Sequence, residues 1–296
     1  MTARDAWELT SQTFVEWRED KASRLAAALA YYTVFSLAPL LVITIGLAGL
    51  VFGDDAVQGH VVAQLRGFIG EKGATFIQDM IVASRRPSHG LIATVVGLAA
   101  LLFGAAGVFG QLQDALNTIW EVKAPPDRGW RGMLSDRFLS FMMVLGTGFM
   151  LLLSVALSAG FAALGEYLSS LLPIPEMALH ALNFGVTLAL ITFLFALIFK
   201  IVPDAKVAWR DVWIGAAITA LLFAIGTLAI GLYLGKSGMT STFGAAASLA
   251  ILLVWIYYSA QILFLGAEFT QVYATRFGSH IRPARGAVAL TSRRSA

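Results

Sequence analysis

The sequence predicts an all-α polytopic membrane protein: six transmembrane helices in one bundle, with a short amphipathic N-terminal helix and a helical external loop. Six stretches, each long and apolar enough to cross a bilayer, fill more than half of the 296 residues. The chain is 58% hydrophobic and 13% charged, with a mean hydropathy of +0.75, whereas soluble domains carry roughly 25% charge. A helix rises about 1.5 Å per residue, so a hydrocarbon core of ~30 Å takes about 20 apolar residues. Runs such as LIATVVGLAALLFGAAGVFG lack the period-two alternation of a transmembrane β-strand.

Residues 1–24 form a polar cytoplasmic segment in which Trp7, Phe14, Trp17 and Lys21 recur at near-helical spacing with acids between them. This pattern predicts a helix along the inner interface with its rings as anchors. Asp5, Glu8, Glu16, Glu19 and Asp20 are wrong for a secretory signal, so the first span is expected to be retained. The membrane domain is expected over 25–270, with spans at 25–52, 91–110, 138–164, 178–200, 212–235 and 243–270. Pro39 removes a backbone donor inside the first span and predicts a bend there. Gly104, Gly107 and Gly110 in the second span, and Gly231 with Gly235 in the fifth, suit close helix approach.

Between the first two spans, Val57, Val61, Leu65, Phe68, Phe76, Ile77, Met80 and Ile81 suit one or two short helices lidding the outer face. Pro125, Pro126, Pro173, Pro175 and Pro203 punctuate the other connections, and Asp211 and Thr242 stand where they would cap the helices that follow. Residues 271–296 read as a basic cytoplasmic tail, expected to be disordered.

Lys and Arg fall sixteen to one side of this topology and five to the other, which places both termini in the cytoplasm. The net charge of +3 and pI near 9.3 then reflect cations at an anionic inner leaflet, so membrane lipids are the expected partners and no nucleic acid is expected. The chain has no cysteine, which removes disulfides and thiolate metal sites.

Polar residues inside the spans mark the candidate site. In the first span Tyr31, Tyr32 and Ser36 precede Pro39, so a kink lined with hydroxyls is expected. In the last span Tyr257, Gln261 and Glu268 share a helical face through offsets of four and seven. Glu268 is expected to point inward or toward the inner interface, one turn from the end of its helix. Arg137, Lys200 and Arg24 lie at that level as possible ion-pair partners, Arg137 foremost. Such a pair would close the inner end of the bundle; the competing reading makes Glu268 a proton or cation site for coupled transport. A second cluster, Gln111, Gln113, Asp114 and Asn117, leads out of the second span, with Gln113 and Asn117 on one face and Gln111, Asp114 and Thr118 on another. Spacing leaves open whether it bonds to the bundle interior or frays into the cytoplasm.

No catalytic residue, metal or cofactor is expected. His60, His89, His180 and His280 are scattered, without HxH or HExxH pairing, and no GxSxG elbow, phosphate-binding glycine loop or dinucleotide fingerprint is present.

Four blocks carry a family resemblance: AAALAYYTVFSLAP at 26–39, ALNTIW at 115–120, KIVPDAKVAWRDVWIG at 200–215, and the stretch from Gly244 to Phe269 ending LLVWIYYSAQILFLGAEF. Together they resemble the signature blocks of the YihY/BrkB family of bacterial inner-membrane proteins, in five of the six spans and in order. The matching positions are Tyr32, Ser36, Pro39, Asn117, Trp120, Pro203, Gly215, Trp255, Tyr258, Gly266 and Glu268. The resemblance implies a six-helix inner-membrane protein with cytoplasmic termini and supplies no catalytic roles.

Family members also bear the labels ribonuclease BN, a tRNA-processing enzyme, and virulence or serum-resistance factor. The nuclease label conflicts with the residues, because metal-dependent RNA cleavage of that type uses clustered His and Asp ligands. The expected function is a transporter or translocator of lipid or envelope components, acting on a lipid-like or small-molecule substrate. The alternatives are a non-transporting membrane scaffold or envelope-assembly factor, and a membrane enzyme. Spans one to three and four to six share no motif order, so an inverted repeat is not expected.

Overall fold

The structure is a computed structural model; it describes residues 3–52, 107–123, 176–236, 244–284 and 286–290, with isolated positions between 58 and 82. Helix α1 covers Ala3–Glu19 and α2 covers Ala22–Phe52. Helix α3 covers residues 107–119 and is followed by β1, Val122–Lys123. Then come α4 (Glu176–Ile201), β2 (Ala205–Lys206), α5 (Trp209–Lys236), α6 (Gly244–Arg276), β3 (Arg282–Pro283) and β4 (Val288–Ala289). The spans expected at 138–164 and, before residue 107, at 91–110 lie outside the described residues.

Helix limits follow local chemistry. Lys21, at φ 53°, breaks the chain between α1 and α2, and its carbonyl accepts the N–H of Arg24 at 2.8 Å to begin the second helix. Helix α2 then continues through Pro39 to Phe52. Helix α4 carries Lys200 in its last turn, favourable to the helix dipole. Pro203, which cannot continue a helix, follows its end.

Among the described residues, three stretches are long and apolar enough to cross a membrane: Ala181–Ile201, Trp209–Ile230 and Leu249–Arg276. Helix α6 is the central one. Before residue 260 it exposes Val254, whereas Ala260, Phe264, Ala267, Glu268, Gln271 and Ala274 are all buried on successive faces. It packs against α1, α2 and α5, and α5 also packs against α4.

One core joins the N-terminal part of α2 (Ala22, Ala26, Leu29), the end of α3 (Leu116, Ile119, Trp120), the end of α4 (Ala196, Phe199), the start of α5 (Val212, Ala216, Ala220) and the last turns of α6. All of these lie on the side that the charge count assigns to the cytoplasm. Aromatic rings tie it across helices: Trp120 meets Phe199 at 5.8 Å, Phe195 meets Phe223 at 5.8 Å, and Phe223 meets Trp255 at 6.3 Å. Away from this core, α4 and α5 expose Leu182, Phe184, Ile225 and Leu228, apolar faces that suit lipid.

The tail corrects an expectation. Residues 271–276 complete α6, and residues 277–284 and 286–290 fold back as a strap where a disordered tail was expected. Strand β3 pairs antiparallel with β2, Ala205 opposite Pro283 and Lys206 opposite Arg282. Strand β4 pairs antiparallel with β1, Val122 opposite Ala289 and Lys123 opposite Val288. Asp211 lies in the first turn of α5, and in place of capping that helix its Oδ2 accepts the N–H and hydroxyl of Ser279, each at 2.9 Å.

Candidate functional site

Helices α1 and α6 build the site. Glu8 faces Arg276 at 3.4 Å, while Glu16 and Asp20 lie within electrostatic reach of Glu268. As α1 numbers rise, α6 numbers fall, so the two run antiparallel along the last turns of α6. Leu9, Thr13 and Trp17 of α1 turn inward, whereas Trp7 and Phe14 face out, 75% and 51% exposed. Trp17 is therefore part of the packing and not one of the outward-facing rings: its indole Nε1 is buried.

Glu268 is 0% exposed. Neither carboxylate oxygen has a hydrogen-bond partner among the described residues. Because α6 extends to Arg276, the residue stands more than two turns from the helix end, not one. The expected pairs with Lys200 and Arg24 do not form. Lys200 donates from Nζ to the carbonyl of Val207 and lies 5.5 Å from the Trp209 ring centroid, and Arg24 is exposed. Arg137, the partner placed first, lies outside the described residues. Glu121, in the left-handed region at φ 51° just after α3, is the third acid within reach of Glu268.

The remaining candidates divide. Ser36 is buried, and its Oγ lacks a partner, as do Gln261 Oε1 and Gln271 Oε1 on α6. Tyr31, Tyr32 and Tyr257 are exposed, so they do not belong to a buried polar site. Tyr31 instead stacks near Phe35, ring centroids 4.9 Å apart, and Tyr32 covers Gly107 of α3. The side chain of Pro39 lies outside the described residues. Gln271 was not singled out in the sequence, although it stands three residues after Glu268 on a neighbouring part of the same face.

The second polar cluster has a definite use. Gln113 Nε2 and Asn117 Nδ2 both donate to Asp204 Oδ2, at 3.2 and 2.9 Å, and the Asp204 N–H donates back to Asn117 Oδ1 at 2.7 Å. The turn after α4 is thus clamped to α3. Asp114 on the other face is exposed.

The family model described as "Virulence factor BrkB" matches residues 13–291. The chain belongs to the BrkB family. The resemblance carried by the four sequence blocks is thereby confirmed, and this BrkB-family chain is an integral membrane protein.

Its relatives bear the name UPF0761 membrane protein. One from Pseudomonas aeruginosa (strain LESB58) is 30% identical over 261 residues, covering 84% of this chain and 58% of the relative. One from Verminephrobacter eiseniae is 29% identical over 274 residues, covering 90% and 63%. One from Mannheimia succiniciproducens is 27% identical over 274 residues, covering 88% and 87%. The chain therefore spans less than two thirds of the length of the first two relatives. No solved structure matches it.

Proposed function

We propose that this BrkB-family chain crosses the bacterial inner membrane six times, with both termini cytoplasmic, and translocates a lipid-like or small amphiphilic substrate. The observation that carries this reading is Glu268: a buried carboxyl without a partner, inside an apolar helix long enough to span the bilayer. Ionisable groups in such helices are costly, and a purely structural role is normally accompanied by a pairing partner. The sixteen-to-five division of Lys and Arg supports the orientation. In this reading Trp7 and Phe14 rest α1 on the inner leaflet. No catalytic step is assigned to the chain.

The test is reconstitution of the purified chain into liposomes, with fluorescent phospholipids and small amphiphiles as probes of flux. Wild type is expected to move at least one probe faster than empty liposomes, and Glu268→Gln to lose most of that flux at normal folded yield. Flux equal to empty liposomes for every probe, or full flux in Glu268→Gln, overturns the reading. A scaffold is the second reading, favoured by the clamp between Gln113, Asn117 and Asp204, which uses polar groups purely as glue.

A further inference from the structure

We infer that Glu268 binds and releases a proton, and that water held by the buried oxygens of Gln261, Glu268 and Gln271 along α6 serves it. The inference rests on the transport reading for its purpose, but not for its evidence. Buried polar atoms in folded proteins are nearly always satisfied by protein or by ordered water. Here Gln261 Oε1, both Glu268 oxygens and Gln271 Oε1 on α6 lack a partner among the described residues. The three positions lie on one side of that helix through offsets of seven and three. Buried acceptor oxygens that no donor meets are a place for water, whose two hydrogens supply what they lack.

The charges around Glu268 select the ion. From α1 it meets Glu16 and Asp20, and from the turn after α3 it meets Glu121; all three are acids. From α2 the buried face is Ala22, Ala26, Leu29, Ala30, Val34 and Ser36, with no charged group; Lys21 and Arg24 are exposed. From α5 the one buried ionisable group among the described residues is Asp211, which is engaged by Ser279. No described cation therefore neutralises Glu268. Among the described residues no group of three or more His, Cys, Asp or Glu is arranged to hold a metal ion. A carboxylate sealed from water without a partner is strongly unfavourable. A proton removes that cost while requiring neither a cavity nor a further ligand. The step is a reversible addition: one O–H bond forms on Glu268 as a proton arrives along the water, and it breaks as the proton leaves.

The test is infrared difference spectroscopy on the full chain in lipid nanodiscs as pH is stepped, comparing wild type with Glu268→Gln. Expected is a carboxylic-acid C=O band that rises and falls with pH in wild type and is missing from Glu268→Gln. The same pH-dependent bands in both proteins overturn the inference. Should Glu268→Gln fold poorly, Glu268→Asp carries the test: the band moves in frequency if residue 268 holds the proton and stays in place if it does not. No transported substrate is needed. A missing band removes the proton site and leaves translocation to its flux assay; absent flux with the band present removes translocation and keeps the proton site.

Discussion

Gly215 of α5 and Thr270 of α6 fit one hole: a Cβ on Gly215 would stand 1.7 Å from Thr270 Oγ1 and 2.8 Å from its Cβ. The contact is reciprocal. A Cβ on Gly266 of α6 would stand 1.9 Å from Thr219 Oγ1 of α5. Each threonine hydroxyl bonds back to the glycine four residues earlier on its own helix, Thr219 to Gly215 O and Thr270 to Gly266 O, both at 2.7 Å. Two Gly-x-x-x-Thr motifs thus interlock head to tail, satisfied within each helix and presenting only close packing between them. Gly226 continues the seam against Tyr258, where a Cβ would lie 2.6 Å from the ring hydroxyl.

Gly215→Ala is expected to lower stability by about 1–3 kcal/mol through overpacking. Thr270→Ala in the same chain removes the 1.7 Å overlap but keeps the 2.8 Å approach of its Cβ, so rescue is partial. Thermal unfolding of the detergent-purified single and double variants measures this coupling; strictly additive losses would rule out the interlock.

Asn117→Ala removes a donor and an acceptor from Asp204, and a loss of about 1–3 kcal/mol is expected. Asn117→Asp should cost more, because it sets a second carboxylate against the first. By contrast, Glu8→Ala breaks only two exposed pairs, with Arg4 and Arg276, and should change stability by no more than about 1 kcal/mol. Thermal unfolding again decides, and equal losses for Asn117→Ala and Glu8→Ala would contradict the ranking.

Asp211→Ala should release the strap, since both Ser279 bonds end on that carboxylate. Limited trypsin treatment of inside-out vesicles should then cut after Arg276 faster than in wild type, with Ser279→Ala intermediate because it removes one of the two bonds. Unchanged cleavage in Asp211→Ala would show that the two short ladders hold the strap unaided.

Trp7→Phe should reduce the share of tryptophan fluorescence quenched by brominated lipids, because Trp7 is 75% exposed on the face assigned to the membrane. Trp120→Phe should leave that share almost unchanged, since Trp120 is 2% exposed within the core. Equal changes would remove the interface role of α1.

The positions of α2, α4, α5 and α6 were legible in the sequence because apolar composition is a property of each segment alone. The end of α6 was set too early: the polar run TQVY reads as an exit from lipid, yet Val272 and Ala274 are buried and the helix continues. The strap was illegible because its strands have two residues each, too short for any period. Glu268 was recognisable as costly, but its partner depends on how neighbouring helices are rotated, which spacing along one helix does not contain. The shared face of Gln113 and Asn117 was readable, whereas Asp204 looked like an ordinary turn residue after Pro203. The paired sequences GAAIT at 215–219 and GAEFT at 266–270 did carry the Gly and Thr interlock, a signal available in small residues spaced by four.

Both short ladders draw one strand from residues 282–289. Those residues leave the ribosome after α3, α4 and α5 have already been made, since synthesis is vectorial. The rim that the two ladders form therefore cannot be laced until residues 282–289 have been made, and until then a nascent chain keeps that end open to insertion machinery and to proteases.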